Sequence, residues 1–310
     1  QFTTSSAQMI AAEKGGKPWS RRAPIPLHMV SQVTVRDNLG AVGRPSGAYT
    51  TRYTYRDPVY DGLQREFRGF SRTEIETAGD ANSPASVSST EFLLGERPAD
   101  HHGIDYTLPE NRWRDNPREA LKGLATVGES WDAKSKVYLS TTHASYRLRK
   151  LYSGKDGRSV WTAFEAGSDS LLYDTGAWVA NGTTLSLPSI AIEDCSTSAC
   201  TEDGSLAASV PARAAYVHVR KTVEVDRFGN RTVETAWGRV GTDESIVSET
   251  IPARVPTPDH ALGEGGWAWR TVESRIRGSV HTAERRRTRT DYDGRGNPVE
   301  TRAWLGDAGG

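Results

Sequence analysis

The stretch from Tyr53 to Arg72, YTYRDPVYDGLQREFRGFSR, constrains the fold most, because it sets two alternating segments around a turn. Tyr49, Thr51, Tyr53 and Tyr55 fall at every second position, which places an aromatic and β-branched row on one face of an extended strand. Asp57-Pro58 is expected to break that strand. Asp61-Gly62 is expected to supply positive φ, and Phe67, Gly69, Ser71, Thr73 and Ile75 to carry the return, giving a β-hairpin with a loop of several residues. Arg65, Glu66 and Arg68 fall inside the returning strand, where they read either as a solvated face or as an internal ion-pair ladder facing another sheet.

The remaining chain repeats this β character. Turn signals at Ser153-Gly154, Asp156-Gly157, Gly176 and Asn181-Gly182 divide the runs Val137 to Leu151, Val160 to Phe164, Leu171 to Tyr173 and Trp178-Val179. Turns this frequent, with little helical periodicity, argue for a mainly β fold, an extended antiparallel meander with one or two short helices. One helix is expected from Thr4 to Gly15, with a hydroxyl N-cap and a glycine stop, and a second at Asn116 to Gly123, with Asn at N-cap and Pro at the first helical position. A strand is expected around Val30, Val33 and Val35, and polar loops at Ala78 to Ser89 and, richer in Pro and Gly, at Ile251 to Gly266. Trp161, Phe164, Tyr173 and Trp178 read as packing anchors before a sugar-stacking row.

Composition narrows the setting. A hydrophobic fraction of 36% and a mean hydropathy of -0.60 are polar for a self-contained globule and suit a sheet with much wetted surface or a piece of a larger shell. Lys plus Arg and Asp plus Glu are 39 each, so no global basic field argues for nucleic acid or an anionic membrane. No apolar run reaches the roughly 18 residues a membrane-spanning helix needs, and no signal-peptide pattern opens the chain. Beginning at Gln1 and ending at Gly309-Gly310, the sequence reads as an internal segment of a longer polypeptide. Cys195 and Cys200, the only cysteines, read as a short-loop disulfide of an exported protein or as two free thiols.

Tyr55, Asp57, Tyr60, Asp61, Gly62, Arg65, Glu66, Phe67, Arg68, Gly69 and Phe70 form an ordered motif, Tyr-Arg-Asp-x-x-Tyr-Asp-Gly-x-x-Arg-Glu-Phe-Arg-Gly-Phe. It resembles the signature in the middle region of the B component of bacterial insecticidal toxin complexes (Tc toxins) and of SpvB-like proteins. Pro18-Trp19 with the Pro24-Ile25-Pro26 stretch before it, and Arg118 to Glu129 with Trp131-Asp132 after it, are similar to the same region. Two further segments, Tyr216 to Arg239 and Thr290 to Gly306, share an Asp-x-x-Gly-Asn turn followed by Val-Glu-Thr and Trp. Their turn residues are Asp226, Gly229 and Asn230, then Asp293, Gly296 and Asn297 with Tyr292 ahead, and they resemble the tyrosine-aspartate (YD) repeats of Rhs proteins and of Tc B and C components. The wide spacing of the two copies implies a segment adjoining the repeated shell and holding at most its first turns.

The resemblance implies a non-catalytic structural segment of a secreted or cell-surface bacterial toxin that forms or leads into an Rhs-type shell around a C-terminal effector. The implied partners are the rest of the parent chain, other toxin-complex subunits and the enclosed effector. Residues 1–100 would be a toxin-middle segment bearing the Tyr-Asp-Gly hairpin, 101–250 a β-meander ending in a YD-like hairpin, and 251–310 a linker with the first YD-repeat strands. In that setting Asp61, Arg65, Glu66 and Arg68 are expected to pair internally and fix strand register.

No constellation for chemistry emerges. There is no Gly-x-Ser-x-Gly elbow and no Walker loop. The ADP-ribosyl-transfer arrangement borne by some SpvB-like proteins is present only in the wrong order, with Glu74-Ile75-Glu76 ahead of Ser196-Thr197-Ser198. His101-His102 with Asp100 and Asp105 would need further ligands to hold a metal and read as an exposed loop. Arg285, Arg286, Arg287 and Arg289 lack interleaved aromatics and read as a strand meeting acidic neighbours, not a nucleic-acid patch. Asp61, Glu66 and Glu76 are the acids a glycoside hydrolase would draw on. No catalytic, cofactor or metal residue is assigned. The alternatives are a β module binding carbohydrate or a partner subunit and, behind it, a hydrolase-like enzyme.

Overall fold

The structure is a computed structural model that describes residues 1–37, 40, 47–80, 83–96, 100–101, 104–105, 116–155, 158–173, 178–197, 199–254, 269–279 and 284–305. The strands, in chain order, begin with β1 (Phe2–Thr4), β2 (His28–Val30), β3 (Gln32–Arg36), β4 (Ala48–Asp61), β5 (Glu66–Thr77), β6 (Ser86–Leu93), β7 (Asp100–His101) and β8 (Ile104–Asp105). They continue with β9 (Leu124–Asp132), β10 (Tyr138–Ser153), β11 (Ser159–Leu172), β12 (Trp178–Asp194) and β13 (Thr201–Ala214). The last are β14 (Val217–Val225), β15 (Arg231–Trp237), β16 (Ser245–Arg254), β17 (Trp269–Gly278), β18 (Glu284–Tyr292) and β19 (Pro298–Leu305). The chain is mainly β, as its turn-rich sequence predicts.

Helix α1 (Ser5–Lys14) starts where the Thr4 hydroxyl accepts the Ala7 amide and stops at Gly15. The second expected helix is a single 3-10 turn, Pro117–Leu121, capped by the Asn116 side chain. Its Leu121 is almost fully buried and joins Tyr146, Leu148, Ile190 and Ile192 in the main apolar cluster. A second cluster gathers Leu171, Tyr173 and Ala212.

The chain divides into two compact units, residues 1–163 with 171–216, and residues 164–170 with 217–310. In the first unit the order β3-β4-β5-β6-β9-β10 is antiparallel throughout. The meander then branches. β12 pairs with β10 in parallel, from Tyr146↔Ile190 to Lys150↔Asp194, and β13 returns along β12. A parallel pair requires a long connection, which a list of strands and turns does not reveal. The turn between β12 and β13 holds a Cys195–Cys200 disulfide. In the second unit β14 to β19 form an uninterrupted antiparallel series in chain order.

Four expected boundaries move. β4 continues through Asp57-Pro58: Asp57 takes φ 52°, yet the ladder holds from Arg56↔Arg72 to Pro58↔Phe70 without a register shift. The positive φ of the hairpin loop falls on Arg65, at 56°, with none at Gly62. Asn181-Gly182 lies within β12 at a register shift between Trp178 and Thr183, where a bulge absorbs the turn signal. Finally, the expected loops at 78–89 and 251–266 yield their ends, Ser86 to Ser89 and Ile251 to Arg254, to β6 and β16. Residues 255–266 of the second loop lie outside the described residues.

Candidate functional site

The motif hairpin is built around Arg68. The β4–β5 ladder skips from Val59↔Gly69 to Tyr60↔Phe67, leaving Arg68 as the extra residue of a bulge with Gly69 at φ 122°. A Cβ on Gly69 would sit 3.2 Å from Leu94 Cδ2, so both conformation and space select glycine. The bulge drives Arg68 inward until its side chain is 1% exposed. There Nε and Nη2 donate to Asp61 Oδ2 at 3.2 and 2.9 Å, and Nη2 donates to Gln64 Oε1 at 2.7 Å. Nη1 donates to Glu119 Oε2 at 2.7 Å and to the Leu94 and Gly95 carbonyls at 3.3 and 3.1 Å. One guanidinium therefore ties together the hairpin loop, the end of β6 and the 3-10 turn.

Asp61 also accepts the Leu63 and Gln64 amides, closing the loop. Burial alone would raise its pKa, but these two amides and the Arg68 guanidinium outweigh it and hold the carboxyl below the ordinary aspartate value. The same contest at Glu119 is won by Arg68 and Lys122. A carboxyl held ionised in this way cannot serve as a general acid, which weighs against a hydrolytic role for Asp61. Glu66 pairs with Lys122 at 2.8 Å and Glu76 with Arg52 at 3.1 Å, whereas Arg65 is an exposed loop residue outside the network.

Other motif residues fasten the lead-in segment. Asp57 Oδ1 accepts the Ser20 and Arg21 amides, and Arg56 donates to the Lys17 and Pro18 carbonyls. Phe70 packs against Trp19, Tyr55 and Phe67, with ring centroids 6.1, 5.0 and 5.3 Å away. The Pro-Trp and Tyr-Asp-Gly motifs, separate in sequence, thus meet in one aromatic cluster.

The two Asp-x-x-Gly-Asn turns have the same bonding. Asp226 N donates to Asn230 O at 2.9 Å, as Asp293 N does to Asn297 O, and each glycine amide donates back to its aspartate carbonyl at 3.1 and 3.0 Å. Each aspartate accepts the asparagine amide at 2.9 Å through Oδ1, and the asparagine side chain through Oδ2. Gly229 and Gly296 take φ of 87° and 80°. Tyr292, present only in the second copy, donates from its hydroxyl to Thr271 O on β17.

The sequence reading missed three features. Arg149 and Arg147 meet Glu193 at 3.0 and 2.6 Å across the parallel pair, and Arg213 forks onto Glu129. The signal was the segment YRLRK, in which buried Tyr146 and Leu148 alternate with Arg147 and Arg149, so that charge falls on the second face of a strand whose Thr141, His143 and Arg149 are also buried. The third is an open cleft of about 400 Å³ on the face of β4, β5, β6, β9 and β10 that carries Arg52, Glu74, Val87, Trp131 and Tyr138. Among the arginines of β18, Arg287 meets Glu273 at 2.9 Å and Arg289 meets Asp291 at 3.4 Å. Tyr173 is buried and bonded to Thr141, and Trp161 packs on the main cluster. His102 and the side chains of Asp100, His101, Asp105 and Trp178 lie outside the described residues.

Residues 1–92 match the family described as the insecticide toxin TcdB middle/N-terminal region. The match to the TcdB middle/N-terminal region contains the whole Arg68-bearing hairpin and the Pro-Trp lead-in that it fastens. The fold is shared more widely along the chain. It matches the crystal structure of TcdB2-TccC3 with a TM-score of 0.57 at 15% identity, covering 97% of this chain and 17% of that one. It matches a Photorhabdus luminescens Tc holotoxin pore with a TM-score of 0.59 at 13% identity, covering 98% and 17%, and TcdB2-TccC3-Cdc42 with 0.58 at 15%, covering 97% and 16%. The chain therefore spans about one sixth of the length of those chains. No curated protein sequence gives a significant match.

Proposed function

We propose that this chain is a structural segment of a secreted bacterial insecticidal toxin-complex B component, and that its strands form or lead into a YD-repeat shell enclosing a toxic effector. The observation that carries the reading is the repeated Asp-x-x-Gly-Asn hairpin. Its two copies share every turn hydrogen bond although they are far apart in sequence, in a chain whose opening residues match the TcdB middle region. A repeated hairpin is how a wall of strands is extended, since each adds two antiparallel strands at the cost of one local turn.

The physical chemistry fits a wall. Strand ladders satisfy the backbone, and ion pairs such as Arg277–Glu249 at 2.9 Å and Arg287–Glu273 at 2.9 Å link adjacent strands. On this reading residues 1–100 and 101–250 are toxin-middle segments, 251–310 begins the YD strands, and the partners are the remaining toxin subunits and the effector. Secretion follows from the same role. Among the described residues, no helix is long and apolar enough to cross a membrane. The test is protease protection: the parent polypeptide, co-expressed with an effector-bearing partner subunit, should shield the effector from digestion. Equal digestion with and without the parent polypeptide would reject the proposal.

A further inference from the structure

We infer that the cleft on the β4-β5-β6-β9-β10 face is a binding site for an acidic sugar. Register builds it. Arg52, Thr54 and Arg56 stand opposite Glu76, Glu74 and Arg72, and Val87 leads from Glu76 to Trp131, which faces Tyr138. Four cationic side chains, Lys17, Arg52, Arg72 and Lys136, line the cleft against two anionic ones, Glu74 and Glu76.

The acids are already engaged, Glu74 with Arg72 and Glu76 with Arg52, both at 3.1 Å. Lys17 and Lys136 have no acidic partner among the described residues, so the positive excess lies on them. Arg72 faces Arg56 directly across the ladder, an unfavourable like-charge pair. These groups call for an anion that also accepts a hydrogen bond. The cleft further holds Trp131 and Tyr138 in tilted contact at 5.4 Å, giving apolar ring surface beside carboxylates with free lone pairs. A ligand with a carboxylate, several hydroxyl donors and an apolar C–H face satisfies all three conditions, and its volume suits one or two rings. An acidic peptide would meet the cations but would leave the Glu74 and Glu76 acceptors facing its own carboxylates.

The site is independent of the shell reading and stands or falls on its own test. The 310-residue chain is titrated by calorimetry with a disaccharide ending in glucuronic acid, with its glucose counterpart, and with a glutamate-rich peptide. Saturable binding of the uronide is expected at a Kd of about 1 mM, with the glucose counterpart weaker by about tenfold or more. Lys136→Glu and Lys17→Glu, both on exposed side chains, should each weaken uronide binding by about tenfold with an unchanged circular dichroism spectrum. No saturation by about 10 mM uronide, equal binding of the neutral sugar, binding unmoved by both charge reversals, or binding of the peptide alone would each overturn the inference.

Discussion

Replacing Arg68 by Met removes the guanidinium and keeps an unbranched, apolar side chain of similar length at the bulge. The loss is then electrostatic. With the Arg68 side chain 1% exposed and Asp61 11% exposed, the pair is screened little by solvent. Arg68→Met leaves the Asp61 carboxylate with only the Leu63 and Gln64 amides, strips the Leu94 and Gly95 carbonyls of a donor, and releases the 3-10 turn at Glu119. Breaking one partner of such a buried pair costs about 3–5 kcal/mol. At an m-value of about 3 kcal/mol per M, the urea midpoint of the unit that holds β4 and β5 falls by about 1 M or more. The assay is urea unfolding followed by far-ultraviolet circular dichroism and tryptophan fluorescence, with Arg68→Lys as companion. Lysine keeps the charge and loses the fork, so its loss should be intermediate. A midpoint shift below about 0.3 M for Arg68→Met, the scale of an exposed ion pair, would refute the reasoning.

Four further outcomes follow from the same geometry. Gly69→Ala must adopt φ near 122° against Leu94, and should lose about 1–3 kcal/mol by urea unfolding, whereas Gly62→Ala should lose less than about 1 kcal/mol. The folded-state carboxyls of Asp61 and Glu119 are lowered, so their contribution is complete above the ordinary carboxylate pKa of about 4 and is lost as pH falls through the lowered value. Unfolding midpoints should therefore drop below about pH 4, and the drop should be shallower in Arg68→Met. Asp226→Ala removes three turn hydrogen bonds and should raise amide exchange at Phe228 and Asn230 while β3 to β6 keep their protection. Reducing Cys195–Cys200 should lower stability by only about 2 kcal/mol, because the closed loop is short.

Much of the fold is legible in local pattern, and what is not depends on long-range pairing. The alternation at Tyr49 to Tyr55 and at Phe67 to Ile75, the Thr4 and Gly15 caps, and the two Asp-x-x-Gly-Asn turns are all local signals, and each forms its element. The parallel pairing of β10 with β12 joins residues 44 apart and leaves no local trace. Turn propensity misled where tertiary pairing overrode it: Asp57-Pro58 and Asn181-Gly182 read as breaks, yet ladder partners on both sides carry the strand through. Arg68 illustrates the site. Its charge within an alternating strand was visible, but its burial depends on a one-residue bulge and on Glu119, 51 positions away. The cleft was invisible because its lining comes from Lys17, Arg52, Glu74, Trp131 and Tyr138, which only the sheet register assembles.

The central claim, that these strands form or lead into the wall of a shell, is tested most directly by cryo-electron microscopy of the parent polypeptide assembled with its effector-bearing partner. The account predicts that the series β14 to β19 continues without interruption into further hairpins that close around internal density, with the Asp226 and Asp293 turns along one rim. A map in which β19 is a free edge, or in which this segment stands apart from any enclosed volume, would contradict it.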